Sequence, residues 1–133
     1  DAGKETVFHR AIDVVPDWRK TLDQLISLGI TRVLTSGQEA DVSLGTGTVR
    51  EMISYGAGSI QILPGAGITA RNMDRIIAET GCSQINLAAH KVQWDSSVSN
   101  NRAIYYGGAL YPPEDRFQVI DSGYIGSMVE RLL

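Results

Sequence analysis

The fold is decided by residues 56–81, which read GAGSIQILPGAGITARNMDRIIAETG. Residues 60–63 are apolar except for Gln61, which is typical of a strand, and the glycines that follow end that strand. Thr69 is placed to cap a helix whose apolar residues have helical spacing, and Gly81 is placed to end this helix in the left-handed conformation. The segment therefore predicts one strand followed by one helix.

The same unit precedes this segment twice. Residues 5–9 and 32–35 are β-prone, and each run is followed by apolar residues at helical spacing. The first helix is predicted to begin at Asp17, whose carboxylate can accept from the exposed amides, and to end before Gly29. The second helix is predicted to close at Gly56. Glycine thus marks each helix-to-strand junction, which indicates a repeated supersecondary unit.

The rest of the chain is predicted to complete a fourth unit. Residues 84–88 predict a strand, and Ser122 is placed to cap a last helix with an apolar stripe of helical period. Between them, residues 90–121 are rich in Ser, Asn, Gly and Pro, so we expect an irregular insertion with one short strand near 117–120. Trp18 and the methionines of the helices are assigned to the core.

Four alternating units predict an α/β fold with parallel strands, because right-handed helical crossovers return the chain in the same direction. A doubly wound sheet and a barrel both satisfy this pattern. The barrel is favoured because four strands alone would leave two unpaired edges. We therefore predict that residues 1–133 form half of a TIM (βα)8-type barrel, which usually has ~250 residues.

Composition argues against several functions. The formal net charge is −3, and the 12 lysines and arginines are dispersed, so nucleic acid is not an expected partner. No apolar run approaches the ~20 residues that span a bilayer, so we expect no membrane segment. Cys82 is the only cysteine, which rules out an internal disulfide and favours a cytoplasmic setting. The chain begins with Asp1 rather than Met, and we expect further residues before it.

The candidate functional groups follow from position, because the βα loops of a barrel gather at the carboxyl ends of its strands. After the first strand, His9 can act as acid, base or ligand near neutral pH. Arg10 can hold an anionic group, and Asp13 can orient either residue. A structural histidine, bonded within its own loop, is the alternative. After the second strand, Thr35 and Ser36 offer hydroxyls to a substrate or simply form a turn.

The turn after the third strand is the strongest local signal. Its glycines, Gly65 and Gly67, precede a helix, and the backbone amides of such a turn can cradle phosphate or carboxylate. On the fourth strand, Asn86 is predicted to face the barrel interior. His90 lies just beyond it and is a further candidate contact for an anion, with a solvated loop end as the alternative.

Three ordered motifs resemble the CutC family: FHRAID at 8–13, RVLTSG at 32–37 and LPGAGI at 63–68. The resemblance implies a TIM-type barrel to which this chain contributes strands 5 to 8, a cytosolic setting and an association with copper tolerance. Ala66 stands where the family has the middle glycine of its run. The last strand also departs from the family's His, Ser and Arg, and has Asn86, Ala88 and His90 instead. The site residues that match the family's motifs are His9, Arg10, Asp13, Thr35, Ser36, Gly65 and Gly67.

Two functions remain open. The resemblance predicts copper homeostasis with a copper ion as the suspected ligand, although the predicted barrel mouth offers Cu(I) only His9 and His90 as soft ligands. The alternative is a barrel enzyme that acts on a small anionic or phosphorylated metabolite through His9, Arg10 and the turn at 65–67. A non-catalytic interaction module is a third hypothesis. In each case we expect a homo-oligomer or pairing with the N-terminal half of the barrel.

Overall fold

The computed structural model describes residues 3–101, 103–104 and 114–133. They form two compact units that divide between Leu87 and Ala88. The elements are, in chain order, β1 (Val7–Phe8), a 3₁₀ helix (Arg10–Val14), α1 (Trp18–Ser27), β2 (Arg32–Thr35), α2 (Thr46–Gly56), β3 (Gln61–Pro64), α3 (Met73–Thr80), β4 (His90–Trp94), β5 (Arg116–Ile120) and α4 (Ser122–Glu130).

The first unit is built on a parallel sheet with the strand order β1-β2-β3. Each of these strands is followed by a helix, so the predicted mixed α/β pattern of parallel βα units is confirmed here. The register aligns two rows of residues across the three strands, and these are Val7, Arg32 and Gln61 in one row and Phe8, Val33 and Ile62 in the next.

The two rows lie on opposite faces of the sheet, because successive side chains of a strand alternate. Val33 and Ile62 are buried, whereas Val7 and Gln61 are exposed. Helix α2 packs against both β3 and α3, so the helices cover the buried face. The helices add further core residues, including the predicted Trp18, Met52 and Met73, and loop residues such as Val42 and Ile68 are also buried.

The first helix has the predicted ends. Asp17 Oδ1 accepts from the backbone N of Arg19 at 3.0 Å and of Lys20 at 3.1 Å. Gly29 follows the helix with φ at 72°, in the left-handed region where glycine is favoured. Gly81 ends α3 in the same way, with φ at 70°.

One predicted cap lies one turn too early, and one is wrong. Asn72 is the N-cap of α3 but makes no side-chain cap bond to it. Thr69 caps the turn that leads into the helix, where its Oγ1 accepts from Arg71 N at 3.3 Å and its backbone O accepts from Met73 N at 3.0 Å. Asp121, rather than Ser122, caps α4, and its carboxylate accepts from the backbone N of Tyr124 at 3.1 Å. Asp and Asn cap helices as well as hydroxyl residues do, so residue type alone does not choose between neighbours.

The strand predicted at 84–88 is reduced to a single parallel bridge between Gly65 and Asn86, in which Asn86 N donates to Pro64 O at 2.8 Å. Among the described residues no further strand pairs with the outer edge of this segment. A segment with one neighbour gains only one row of ladder bonds, which accounts for its short pairing.

The second unit contains an antiparallel pair, β4 and β5, with His90 opposite Ile120 and Trp94 opposite Arg116. The short strand near 117–120 is confirmed. Contrary to the expectation of an irregular insertion over 90–121, residues 90–94 are a strand, because β5 supplies a partner that is distant in sequence. Met128 of α4 is buried, as predicted. The tyrosines of this stretch, Tyr105, Tyr106 and Tyr111, lie outside the described residues.

None of the helices in the described ranges combines the length and the apolar character that a membrane span requires.

Candidate functional site

The chain turns directly from β1 into the 3₁₀ helix, and His9 caps this helix. Its Nδ1 accepts from the backbone N of Ala11 at 3.0 Å, so the neutral ring carries its proton on Nε2. The ring also stacks on Phe8, with 5.3 Å between the ring centroids. His9 is thus exposed and bonded within its own loop. Its participation in chemistry stays a prediction.

Asp13, from the same helix, is the centre of a hydrogen-bond network that joins the loop after β1 to the loop after β2. Its side chain is only 6% exposed. The carboxylate accepts from four residues, which are Arg10 (Nε, 2.8 Å), Thr35 (Oγ1, 2.5 Å), Ser36 (backbone N, 3.0 Å) and Gln38 (backbone N, 3.2 Å).

This network keeps Asp13 ionised. Burial alone would raise the pKa of Asp13, but the hydrogen bonds from Thr35, Arg10 and Ser36 outweigh burial and hold the pKa below its ordinary value. A carboxylate that is saturated with donors is a poor proton acceptor at neutral pH. Asp13 therefore orients Arg10, which is one of the roles predicted for it.

Thr35 and Ser36 are both fully buried. Thr35 Oγ1 donates to Asp13 and accepts from Gly37 N at 2.9 Å. Ser36 Oγ lies 2.8 Å from Asp13 Oδ2 and also contacts Glu39 O, so its single proton can bond to only one of them at a time. The structure engages both hydroxyls within the protein, and their contact with a substrate stays a prediction.

Arg10 is held along one edge of its guanidinium group. Nε donates to Asp13 Oδ2, and Nη2 donates to Ser36 Oγ at 2.6 Å and to Glu39 O at 3.2 Å. The side chain nevertheless remains 41% exposed. The structure thus brings Arg10, Asp13, Thr35 and Ser36 into one cluster.

The turn after β3 is closely packed. A Cβ on Gly65 would lie 2.6 Å from Leu34 Cδ1, and a Cβ on Gly67 would overlap the carboxylate of Asp41. Ala66 and Gly67 both have positive φ, at 76° and 81°. Only glycine adopts such a conformation readily, so Ala66 is strained where it stands.

The carboxylate beside Gly67 bears on the predicted anion site. Asp41 Oδ1 accepts from Ser43 N at 2.8 Å, and hydrogen bonds from Ser43 hold the pKa of Asp41 below its ordinary value. An anion at the turn would therefore meet a negative charge of the same chain. The anion site at 65–67 stays a prediction, and this arrangement opposes it.

Asn86 and His90 are the remaining predicted site residues. Asn86 is exposed and lies beside Gly65 through the parallel bridge. His90 begins β4 in the second unit, where it is exposed opposite Ile120.

Sequence reasoning missed the loop between β2 and α2, residues 37–45, which we call the bridging loop. Gln38 Nε2 donates to Val15 O at 2.8 Å, which ties the loop to the segment after β1. Val42 N donates to Ala66 O at 3.0 Å, which ties it to the turn after β3. Gly37 and Gly45 contact each other and close the loop. The two glycines could have indicated this closed loop from the sequence. The positive φ of Gln38, 64°, could not have been predicted in that way, because glutamine rarely adopts it.

The described residues offer little to a metal ion. No three of their His, Cys, Asp and Glu side chains are grouped as ligands. Cys82 lines a cavity of about 210 Å³ together with Ile60 and Gln61, at the amino end of β3. Cys82 therefore lies near the amino ends of the strands, whereas the Asp13 cluster lies at their carboxyl ends.

Comparisons of sequence and of structure relate this chain to one protein family. The CutC family model matches residues 2–91. A Treponema denticola protein named as a CutC family protein is 55% identical over 116 residues, which cover 87% of this chain and 47% of that protein. The human copper homeostasis protein cutC homolog is 33% identical over 114 residues, covering 86% of this chain and 42% of the human protein.

A crystal structure of CutC from Streptococcus agalactiae matches with a TM-score of 0.60 and 36% identity, and the match covers 64% of this chain and 42% of that chain. The chain thus spans less than half the length of these relatives.

Proposed function

Because this chain belongs to the CutC family, we propose that it takes part in copper homeostasis, the role in the name of its human relative. Family membership is the observation that carries this proposal. A fold by itself would not, since one barrel architecture serves many unrelated functions. A cytoplasmic setting, favoured by the single cysteine, is part of the same proposal.

The proposal includes the barrel. Three parallel strands with a helix after each, and the bridge at Asn86 beside β3, support an arc of a (βα)8 barrel that comprises its strands 5 to 8. The sheet face away from the helices leaves Val7 51% exposed and Leu34 and Leu63 partly so. Closure of a barrel would bury such a face. We propose that the remaining strands come from another segment or from a second copy.

The donor set does not fit a tight copper site within the described residues. Cu(I) prefers thiolate, thioether and imidazole ligands. Cys82 and His9 lie at opposite edges of the sheet, and Met52 and Met73 are fully buried in the core. We therefore derive no copper-binding step from this chain, and the proposed role concerns the copper tolerance of the cell.

Genetic complementation tests the proposal. This chain is expressed in a copper-sensitive bacterium that lacks its own CutC-family gene, and growth is measured across a copper series. We expect partial or full restoration of growth by the native chain and by Cys82→Ser, and a loss of restoration with Asp13→Ala. Immunoblots of all three proteins control for abundance. Unchanged copper sensitivity with abundant native protein would contradict the proposal.

A further inference from the structure

We propose that Arg10 is a preorganised receptor for a small oxyanion, a carboxylate or a phosphate, at the carboxyl end of β1. The inference is independent of the role in copper homeostasis. The sequence predicted an anion site shared by His9, Arg10 and the glycine turn, and the inference narrows that site to the guanidinium group of Arg10.

The first argument is that Arg10 is fixed before any ligand arrives. Its Nε and Nη2 make three hydrogen bonds, to Asp13, Ser36 and the backbone O of Glu39. Two of these partners are themselves held, because Asp13 is 6% exposed and Ser36 is fully buried. The ordering of a long side chain is therefore completed on folding and does not oppose binding.

The second argument is that the guanidinium group of Arg10 still has hydrogen-bond donors that no described residue uses. A guanidinium group has five N–H donors, and the three bonds just described use those of Nε and Nη2. The two N–H groups of Nη1 have no acceptor among the described residues. Because the side chain is 41% exposed, a ligand can reach them from solvent.

Charge sets the expected strength. Asp13 would repel a second anion, but its carboxylate also accepts from Thr35, Ser36 and Gln38, which disperse its charge. Glu39 and Asp41 in the bridging loop add negative charge nearby. We therefore expect millimolar rather than micromolar affinity, with the directional N–H groups of Arg10 selecting oxyanions over chloride.

Titrations of the whole chain with inorganic phosphate and with acetate test the proposal, with sodium chloride as the ionic-strength control. The readout is the side-chain Nε–H signal of each arginine in a two-dimensional NMR spectrum. The signal of Arg10 is assigned from Arg10→Lys. Arg19 is the matched reference, since it is also an arginine held by a carboxylate, that of Glu51, but it lies on α1.

We expect a saturable shift of the Arg10 signal with phosphate, acetate or both, and no saturable shift of the Arg19 signal. The anion with the lower half-saturation concentration identifies the ligand class. Calorimetry should show phosphate or acetate binding at least ten-fold weaker in Arg10→Lys than in Arg19→Lys. If Arg10→Lys fails to fold, the Arg10 signal is assigned in the native chain through its bonds to the backbone amide, and the titration of the native chain then decides. No saturation at Arg10 below about 10 mM, or equal shifts at Arg10 and Arg19, would overturn the proposal.

Discussion

At the residue scale, Asp13 gives the clearest stability prediction. Asp13→Asn removes the charge that accepts from Thr35, Ser36 and Arg10, so we expect the free energy of unfolding at pH 7 to fall by about 1.5 to 3 kcal/mol. Because the folded-state pKa of Asp13 is lowered, its contribution is complete above pH ~4 and is lost as the pH falls through the folded-state pKa. Urea unfolding from pH 7 to pH 2 should show the two proteins converging.

The control for this experiment is Asp95→Asn, because Asp95 also has a lowered pKa but is half-buried, and its carboxylate accepts from Ser97, outside the Asp13 network. This change should leave stability nearly unaltered. A constant difference between native protein and Asp13→Asn across the whole pH range would contradict the assigned network.

The backbone conformation of Ala66 leads to a second prediction about stability. Its φ of 76° costs an alanine about 1 kcal/mol more than a glycine, so Ala66→Gly should raise the free energy of unfolding by roughly that amount. Ala57→Gly is the matched control, since Ala57 has φ at −51° and should lose stability with the same substitution. The same sign in both variants would argue against strain at Ala66.

Copper binding is also decided at single residues. We expect this chain to hold Cu(I) weakly, and Cys82→Ala to change that little, because Cys82 lies away from the strand-end residues. Competition with a strong Cu(I) chelator measures the Cu(I) affinity of the native chain and of Cys82→Ala. Tight stoichiometric copper that disappears in Cys82→Ala would instead place the metal at the amino edge of the sheet.

At the element scale, α1 depends on its N-cap residue, Asp17. The Asp17 carboxylate accepts from two backbone amides in the first turn of the helix, so Asp17→Ala should lower the free energy of unfolding by about 1 kcal/mol. Asp17→Asn should keep most of this stabilisation, because the asparagine side chain can accept the same hydrogen bonds. Denaturant unfolding of the two variants checks this. Equal losses in both would mean that the carboxylate's charge, rather than its hydrogen bonds, stabilises α1.

Prediction from sequence succeeded where the signal is local. Periodicity and glycine spacing located β2, α1 and the end of α3, since these depend on residues within one or two turns. It failed where a partner is distant: β4 exists because β5 pairs with it, and Asp13 meets Thr35 and Ser36 only in the folded chain. The members of the Asp13 cluster were named as candidates, but their mutual bonding could not be read from spacing.

At the scale of the whole molecule, two features of the described residues predict association: the exposed sheet face and the side of β1 on which no described strand pairs. We expect the purified chain to self-associate, because Val7 and the half-buried leucines of that face gain by leaving water. Light scattering with a concentration series measures this. A monomer with one cooperative thermal transition would contradict the half-barrel and favour a self-sufficient domain.

The bridging loop has a consequence for how such a protein can diverge. Surface loops usually tolerate changes in length, but this one is bonded at Gln38 to the preceding loop and at Val42 to the following one. An inserted residue would shift both contacts out of register and separate Gly37 from Gly45. We therefore expect related chains to keep the length of residues 37–45 even where the exposed side chains of the loop differ.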